Sequence, residues 1–248
     1  MTFEVLNSYI GRIFYKKKLI FNRICKANGL TLDYDLNKSE IAILQEIFEE
    51  RIYSDYFPFY QKAIVVDIGG HYGYFSLFAH KNLHTDSKIY SFEPSLHNFK
   101  CLNENIRVNN INNIISHNLA IGQHDGKSNL NISLNFNHSI IPALHQNNSR
   151  DVIIKRLDQV IREHKIDKID FLKIDCEGSE YDILDSLTSE SFEKINVISL
   201  EFHDLKSTIY TADYIISVLN KAGFSIMKFC YSKTYRGLNF GKIVAKRG

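Results

Sequence analysis

From residue 63 onward, short apolar segments alternate with segments of helical periodicity, and this alternation limits the possible folds more than any other feature. Parallel strands joined by crossover helices produce it, and strands that are covered on both faces are rich in Ile, Val and Phe. The predicted strands are Ala63–Ile68, Lys88–Glu93, Ile114–Ile121, Ile169–Asp175, Ile195–Glu201, Phe224–Tyr231 and Asn239–Lys246. The predicted helices between them are Phe75–Asn82, Leu96–Asn109, Glu180–Leu187 and Ala212–Ala222.

Only residues 232–238 separate the last two predicted strands, which is too short for a crossover helix. These strands are therefore predicted to pair as an antiparallel hairpin, with Gly237 available for the turn. The fold class is α/β, with a Rossmann-like, mixed sheet of seven strands in which the last strand is antiparallel.

Two regions lie outside this alternation. Residues 1–60 are predicted to form an N-terminal helical extension to a domain at 61–248, and the clearest helix in the extension is Ser39–Tyr53. A basic, partly apolar stretch at 12–23 could lie on an anionic membrane surface, but packing of its apolar side on the domain is the simpler interpretation. The apolar N-terminal helices could also form a homodimer surface.

The second region is an insertion at about 122–158. Its first part predicts a strand, because Leu130, Ile132 and Leu134 alternate with polar residues. Residues 138–150 predict a polar loop. His138 in that loop could reach over a substrate, although a solvated loop is the more economical interpretation.

Composition and charge exclude several classes of protein. An apolar fraction of 44% and a charged fraction of 23% are typical of a globular domain. Lys and Arg number 30 against 28 for Asp and Glu, so the chain lacks the positive charge of most nucleic-acid-binding proteins. The four cysteines form no Cys-x-x-Cys pair, and no stretch reaches the ~20 apolar residues of a transmembrane helix. These features predict a cytoplasmic location.

A glycine-bearing turn follows the first predicted strand, after Asp67, and contains Gly69, Gly70 and Gly73. Glycines let the backbone approach a ligand closely, and the N-terminus of the following helix offers N–H donors to an anionic group. In open α/β sheets, nucleotide-like ligands bind beyond the carboxyl ends of the strands. The turn therefore predicts a nucleotide-like cofactor.

Glu93 ends the next predicted strand, where a carboxylate can accept hydrogen bonds from both hydroxyls of a ribose. The turn lacks the Gly-x-Gly-x-x-Gly register that cradles a pyrophosphate, which argues against NAD. In the alternative interpretation, the glycines only permit a tight turn and Glu93 only caps a helix. Each motif alone fits that alternative, whereas the two together favour an adenosyl cofactor.

The motifs together resemble the FkbM family of S-adenosylmethionine-dependent O-methyltransferases, over about residues 63–204. The matching motifs are Val66-Asp67-Ile68-Gly69, Phe92-Glu93-Pro94, Asn98 with Leu102, Asn105 and Asn109, Leu119-Ala120-Ile121-Gly122 with Asp125-Gly126, and Lys173-Ile174-Asp175-Cys176-Glu177-Gly178-Ser179-Glu180. The resemblance implies the class I methyltransferase fold. It also implies that the acceptor is a hydroxyl of a small polar molecule, such as a sugar or nucleotide sugar for a bacterial surface polysaccharide.

Cofactor contacts follow from the same resemblance. The methionine part is expected near Asp67, Gly69 and Gly73, the ribose on Glu93, and the adenine near residues 118–120. Where the family usually carries Ala-Asn, this chain has Gly70 and His71, so that His71 either replaces the Asn contact or faces the substrate. The full set of predicted cofactor residues is Asp67, Gly69, Gly70, His71, Gly73, Glu93, Asn98, Asn118, Ala120 and Asp175.

Methylation of an alcohol needs a base or a metal ion to take up or acidify the hydroxyl proton. We expect His203 or Asp175 to be the base, with Glu177 and Glu201 orienting the substrate or each other. Alternatively, Asp175, Glu201 and His203 hold Mg²⁺ or Mn²⁺, the cations that oxygen ligands favour. Two competing functions remain, namely methylation of nucleic acid or protein, and an inactive homologue that only binds a cofactor.

Overall fold

The computed structural model describes residues 3–32, 38–132, 138–139, 149–176, 178–203, 209–233 and 239–248. The helices are α1 (Phe3–Asn28), α2 (Lys38–Phe48), α3 (Tyr74–Asn82), α4 (Leu96–Val108), α5 (Leu157–Glu163), α6 (Glu180–Ser186), α7 (Ser189–Glu193) and α8 (Ala212–Lys221). The strands are β1 (Ile64–Ile68), β2 (Lys88–Phe92), β3 (Ile114–His117), β4 (Ala120–Ile121), β5 (Gly126–Ile132), β6 (His138–Ser139), β7 (Ser149–Lys155), β8 (Phe171–Ile174), β9 (Val197–His203), β10 (Phe224–Lys233) and β11 (Asn239–Arg247).

The main sheet has seven strands in the order β10-β11-β9-β8-β1-β2-β3. Strands β3, β2, β1, β8 and β9 pair in parallel, whereas β11 is antiparallel to both of its neighbours. This order confirms the predicted α/β fold with an antiparallel last strand. From β1 the chain continues to β2 on one side, and from β8 it continues to β9 on the other side. The strand order therefore reverses between β1 and β8, and ligands of open α/β sheets bind at such a switch point.

Alternation along the central strands divides the core into two layers. Val66 and Leu172 face one layer together with apolar residues of α5, α6, α7 and α8. Val65 and Phe171 face the other layer, which contains apolar residues of α1, α2 and α3. All four side chains are fully buried, as expected for the central strands of a sheet covered on both faces.

The N-terminal extension packs against the second of these layers. Phe21 and Ile24 of α1 are buried there beside Leu44 and Phe48 of α2, and the Phe48 ring lies edge-on to Phe78 of α3 at 5.9 Å. This packing agrees with the interpretation that the apolar side of the N-terminal helix faces the domain. The domain boundary at residue 60 stays a prediction, because the two parts share one core layer.

The predicted helix Ser39–Tyr53 is wrong at its C-terminal end. Helix α2 ends at Phe48, and Arg51 adopts a left-handed backbone conformation with φ 55°. A residue in that conformation ends the helical path, so apolar periodicity continues in the sequence after the helix has stopped. Residues 52–60 follow as irregular chain, with neither helix nor strand.

The predicted strand Ile114–Ile121 also needs correction. It is broken at Asn118, so that β3 lies in the main sheet and β4 in a smaller one. The Asn118 side-chain amide donates to the carbonyl oxygens of Glu93 and Pro94, which directly follow β2, so the side chain at the break is tied to the end of that strand. A short apolar run does not reveal such a break.

The insertion forms a second sheet in the order β4-β7-β5-β6. Leu130 and Ile132 lie in β5 as predicted, and Leu134 lies outside the described residues. The predicted polar loop at 138–150 is wrong at both ends, because residues 138–139 form β6 and residues 149–150 begin β7. Cross-strand pairing with β5 overrides the weak strand propensity of these polar residues. No helix in the described part of the chain is long and apolar enough to cross a membrane.

Gly241 provides a test of the sheet packing. It lies in β11 between β9 and β10, and a Cβ atom there would sit 2.4 Å from the Cys230 carbonyl oxygen and 2.5 Å from the Phe202 ring. Replacing Gly241 by Ala should destabilise the protein by about 1–3 kcal/mol, as overpacking of a core does. Thermal unfolding followed by circular dichroism would measure the change in Tm. The control is Gly248→Ala, where an added Cβ meets nothing within 4 Å, and equal Tm values for both variants would contradict the prediction.

Candidate functional site

A cavity of about 360 Å³ opens at the carboxyl ends of β1, β2, β8 and β9. Its lining comes from the glycine turn, the ends of the strands and the N-terminal extension. The lining residues are Ala42, Ile43, Glu46, Ile47, Ile52, Tyr53, Ile68, Gly69, Gly70, His71, Tyr74, Phe75, Phe92, Glu93, Pro94, Asn98, Ala120, Ile121, Lys173, Asp175, Cys176, Ser179 and Glu201. The cavity therefore lies where the alternation of strands and helices predicted a ligand.

The glycine turn leaves no room for side chains at two positions. Gly69 has φ 80°, and a Cβ there would lie 1.8 Å from the Asp175 carbonyl oxygen. A Cβ on Gly70 would lie 2.3 Å from the Ser91 hydroxyl oxygen. The amides of both glycines donate to the Phe92 carbonyl at 3.0 and 2.9 Å, so the turn is tied to the end of β2. The open backbone beside the cavity is thereby held in place.

Glu93 lies at the cavity wall and is only 4% exposed. One carboxylate oxygen accepts the His71 backbone N–H at 2.7 Å, and the other accepts that of Ser95 at 2.8 Å. Burial nevertheless raises the pKa of Glu93 to about 7, because these two bonds only partly offset the loss of solvation. The carboxylate is fixed in one orientation, and it changes charge near neutral pH.

Asn98 and Ala120 line the same cavity as Glu93. Asn98 is 2% exposed, and its side-chain carbonyl oxygen has no hydrogen-bond partner among the described residues. Because buried acceptors are nearly always satisfied, this oxygen fits a donor from a bound ligand. The predicted cofactor residues Gly69, Gly70, His71, Glu93, Asn98, Ala120 and Asp175 thus meet around one space.

Three predicted cofactor residues, Asp67, Gly73 and Asn118, do not line the cavity. They hold the strands and the turn that form it. The Asp67 carboxylate is fully buried and accepts hydrogen bonds from Ser76 at 2.7 Å and Ser91 at 3.4 Å. Gly73 is the N-cap residue of α3 with φ 83°, and the Asn118 amide donates to the Glu93 carbonyl oxygen. Their direct contact with a cofactor stays a prediction.

Lys173 is a buried residue of the site for which we predicted no role. Its ammonium lies 3.1 Å from Asp67 and donates to the carbonyl oxygens of Ile68 at 3.3 Å and Gly69 at 2.8 Å. Burial alone would lower the pKa of Lys173, but the carboxylates of Asp67 and Asp175 raise it overall. One sequence signal was present, because a lysine within the apolar strand residues 171–174 requires a buried partner.

Asp175 follows β8 and faces the cavity. Its Oδ2 atom accepts the Tyr53 hydroxyl at 2.9 Å and lies 3.8 Å from the Lys173 ammonium. Burial alone would raise the pKa of Asp175, but the charges of Lys173 and His203 lower it overall. The hydrogen bond from Tyr53 acts in the same direction. Asp175 is therefore ionised at neutral pH.

His203 and Glu180 form a second polar pair beside Asp175. The buried Glu180 carboxylate accepts the backbone N–H of Gly178 at 2.9 Å and lies 3.1 Å from Nδ1 of His203. Nε2 of His203 lies 3.6 Å from Glu201, which lines the cavity. Glu180 therefore orients the imidazole rather than only complementing the helix dipole. Glu177 lies outside the described residues.

His71 occupies a left-handed backbone position with φ 50°, lines the cavity and stacks on the Tyr72 ring at 4.1 Å. Its backbone N–H makes the bond to Glu93 described above. Its positive charge, when protonated, also lowers the pKa of Asp175. His71 thus lines the cavity and is bonded through its backbone to Glu93, and the role of its imidazole stays a prediction.

The predicted metal ligands do not form a metal site in the described part of the chain. No group of three or more His, Cys, Asp or Glu side chains is arranged there to hold a metal ion. Asp175 instead contacts Tyr53 and Lys173, and Nδ1 of His203 faces Glu180. The structure therefore gives no support to Mg²⁺ or Mn²⁺ on Asp175, Glu201 and His203.

Sequence reasoning also missed the contribution of the N-terminal extension to the cavity. One wall consists of Ala42, Ile43, Glu46 and Ile47 of α2, and it continues into Ile52 and Tyr53. No local pattern signals this contact, because it depends on how α2 packs on the sheet.

Comparison with known proteins identifies the family. The family model described as Methyltransferase FkbM domain matches residues 67–226, which is more than half of the chain. Methyltransferase 1 of Beauveria bassiana (strain ARSEF 2860) is 28% identical, over 79% of this chain and 88% of that protein. Methyltransferase sdnD of Sordaria araneosa is 26% identical, over 68% of this chain and 77% of that protein.

A solved structure supports the fold independently. The crystal structure of Trm5b from Pyrococcus abyssi matches with a TM-score of 0.51 at 13% identity, over 88% of this chain. The match covers 53% of that protein, so this chain spans about half of its length. Such a likeness concerns the fold alone, whereas the family match also covers the glycine turn, Glu93 and Asp175. The chain therefore belongs to the FkbM family of methyltransferases.

Proposed function

We propose that this protein transfers the methyl group of S-adenosylmethionine to a hydroxyl of a small polar acceptor, such as a sugar or nucleotide sugar. One observation carries the proposal. One cavity is lined both by the fixed Glu93 carboxylate and by the ionised Asp175 carboxylate. We assign the Glu93 part of this lining to the methyl donor and the Asp175 part to the acceptor. A donor site and an acceptor site for methyl transfer need this adjacency.

The donor end fits an adenosyl cofactor. Glu93 would accept hydrogen bonds from the ribose hydroxyls, and the open acceptor of Asn98 would take a further donor. Gly69 and Gly70 let the backbone approach the cofactor closely. Bound S-adenosylmethionine would supply an electrophilic methyl group on its sulfonium.

At the acceptor end, Asp175 would accept a hydrogen bond from the substrate hydroxyl and hold its oxygen toward the methyl group. The new O–C bond forms as the S–C bond breaks, and the hydroxyl proton becomes strongly acidic during this step. A carboxylate whose pKa is lowered is then still a sufficient base. Asp175 receives the proton, and the sulfur keeps the electron pair of the broken bond.

His203 is the second candidate for the base. Glu180 fixes its Nδ1 atom, and Nε2 lies 3.6 Å from Glu201, which lines the cavity. His203 itself is not one of the lining residues. The proton would then pass from the hydroxyl to Nε2 of His203, with Glu201 orienting the acceptor. Mutation of Asp175 and of His203 distinguishes the two assignments.

The acceptor can be identified by incubating the protein with S-adenosylmethionine and a panel of sugars and nucleotide sugars, with and without a chelator. We expect mass spectrometry to show a methyl group added to a hydroxyl of one class of acceptor, and we expect chelation to leave the yield unchanged. A short RNA and a peptide mixture complete the panel. Methylation of either of these instead of a sugar would contradict the proposed acceptor class.

Replacing Asp175 by Asn should lower kcat by about 10²- to 10⁴-fold, as loss of a general base does. His203→Ala should also lower kcat if its Nε2 atom takes the proton, and less so if Asp175 does. The affinity for S-adenosylhomocysteine, measured by calorimetry, should stay within a few-fold in both variants. Asp86→Asn is the control, since this exposed carboxylate is remote from the cavity lining. Unchanged turnover in both site variants would refute the assignment.

Binding of S-adenosylhomocysteine should depend on the ionisation of Glu93. Its pKa is raised to about 7, so the carboxylate is mostly protonated below that pH and mostly ionised above it. Since ribose hydroxyls donate to the ionised form, Kd should increase by up to about tenfold for each pH unit below neutrality. Calorimetric titrations at about pH 6, 7 and 8 would measure this dependence.

Glu93→Gln should bind more weakly at high pH and should lose this pH dependence, because the amide does not titrate. Glu104→Gln is a matched control, because Glu104 pairs with Arg107 on the exposed side of α4. It should retain the behaviour of the unmodified protein. Equal affinities of Glu93→Gln and the unmodified protein at about pH 8 would contradict the ribose contact.

A further inference from the structure

Tyr53 reaches the candidate active site from the N-terminal extension. The backbone leaves α2 after Phe48 and turns at Arg51, so that Tyr53 enters the cavity wall and is only 3% exposed. Its hydroxyl donates to Oδ2 of Asp175 at 2.9 Å. This bond joins the extension to the residue that follows β8 in the main sheet.

The Tyr53 ring is held on two sides. Phe75 of α3 packs against it edge to face, with centroids 5.1 Å apart and an interplanar angle of 67°. The Lys242 ammonium of β11 lies 4.0 Å from the ring centroid, which is a favourable cation–π distance. A ring fixed in this way presents its hydroxyl from a single direction.

The surrounding backbone is anchored to the β10–β11 hairpin. Lys242 also donates to the Ile52 carbonyl oxygen. Lys228 of β10 pairs with Asp55 at 2.7 Å, and Lys246 of β11 lies 5.6 Å from the Tyr56 ring. Three lysines of the hairpin therefore hold residues 52–56, and they restrict the freedom of the Tyr53 side chain before any substrate binds.

Two groups hold the same oxygen of Asp175. The Tyr53 hydroxyl lies 2.9 Å from Oδ2, and the Lys173 ammonium lies 3.8 Å from it. The pKa of Tyr53 is raised well above its ordinary value by burial and by the charges of Asp175 and Glu201, so Tyr53 remains a donor. These two contacts restrain the position of Oδ2 and therefore limit the orientations open to the carboxylate.

We propose that Tyr53 is a positioning residue for Asp175, and that the active site therefore includes part of the N-terminal extension. This inference rests on the proposed function, in which Asp175 orients the acceptor hydroxyl. Correct orientation of a reacting group is worth a large factor in rate, and small misplacements are costly. Within the described residues, the hydroxyl that donates to Asp175 comes from Tyr53 of the extension.

The first test uses Tyr53→Phe, which keeps the ring and its contacts with Phe75 and Lys242 while removing the hydroxyl. The protein is labelled with ¹³C at Asp carboxyl carbons, and the Asp175 resonance is assigned by its loss in Asp175→Asn. We expect the resonance to shift and broaden in Tyr53→Phe. Tyr56→Phe is the matched control and should leave it in place. An unshifted Asp175 resonance in Tyr53→Phe would overturn the proposal.

The second test measures turnover with the acceptor found by the panel. We expect kcat of Tyr53→Phe to fall about 10- to 100-fold, with little change in the KM for the acceptor or in the Kd for S-adenosylhomocysteine. Adding Tyr53→Phe to Asp175→Asn should cause no further loss of kcat, because the hydroxyl acts through that carboxylate. An unchanged kcat, or a full additional loss in the double variant, would overturn the positioning role.

The two hypotheses can fail separately. A panel without any methylated product counts against the proposed function, while the Asp175 resonance still decides whether Tyr53 holds that carboxylate. A methylated sugar together with an unaffected Tyr53→Phe variant leaves the proposed function standing and refutes the role of Tyr53.

Discussion

The buried ion pair between Lys173 and Asp67 is the interaction on which the rest of the site depends. The two residues are direct neighbours across β8 and β1, at the centre of the sheet. Burying both charges is costly, and removing one partner of such a pair typically costs about 3–5 kcal/mol. The same ammonium also holds the carbonyl oxygens of Ile68 and Gly69, so the pair fixes the glycine turn. Lys173 thereby connects the donor end of the cavity to Asp175, two residues further along the chain.

The sequence predicted those parts of the site that depend on the ends of strands. Glu93 and Asp175 follow apolar runs directly, and parallel strands bring their carboxyl ends to one edge, so their proximity follows from the fold class. The roles of Asp67 and Asn118 were harder to predict. Both are polar residues beside strand ends. Only the packed structure shows that Asp67 accepts a hydrogen bond from Ser76 and that Asn118 donates one to the Glu93 carbonyl oxygen.

The contribution of the extension could not be predicted, because nothing near Tyr53 in the sequence indicates its partner. The apolar periodicity of residues 39–53 even suggested that Tyr53 belongs to a helix. A left-handed residue at Arg51 and an anchor on Lys242 redirect it, and both depend on tertiary packing with a hairpin almost two hundred residues later. The misplaced helix end and the missed site residue therefore have one cause. Local patterns specify a helix well, whereas its last turn is decided by its neighbours.

The charges around the cavity bear on the direction of the proposed reaction. The carboxyl groups of Glu46, Asp175 and Glu201 line the cavity, whereas the charge of Lys173 is paired with Asp67. Burial raises the pKa of Glu46, and the nearby charges of Glu50 and Asp175 raise it further, as expected where like charges share a site. In the proposed transfer, positive charge moves from the sulfonium to the acceptor oxygen and leaves as a proton. In that proposal, the ionised carboxylates of this wall would stabilise the cation, whereas the product S-adenosylhomocysteine has a neutral sulfur and would lose this attraction. The wall would therefore favour binding of the charged donor over its neutral product.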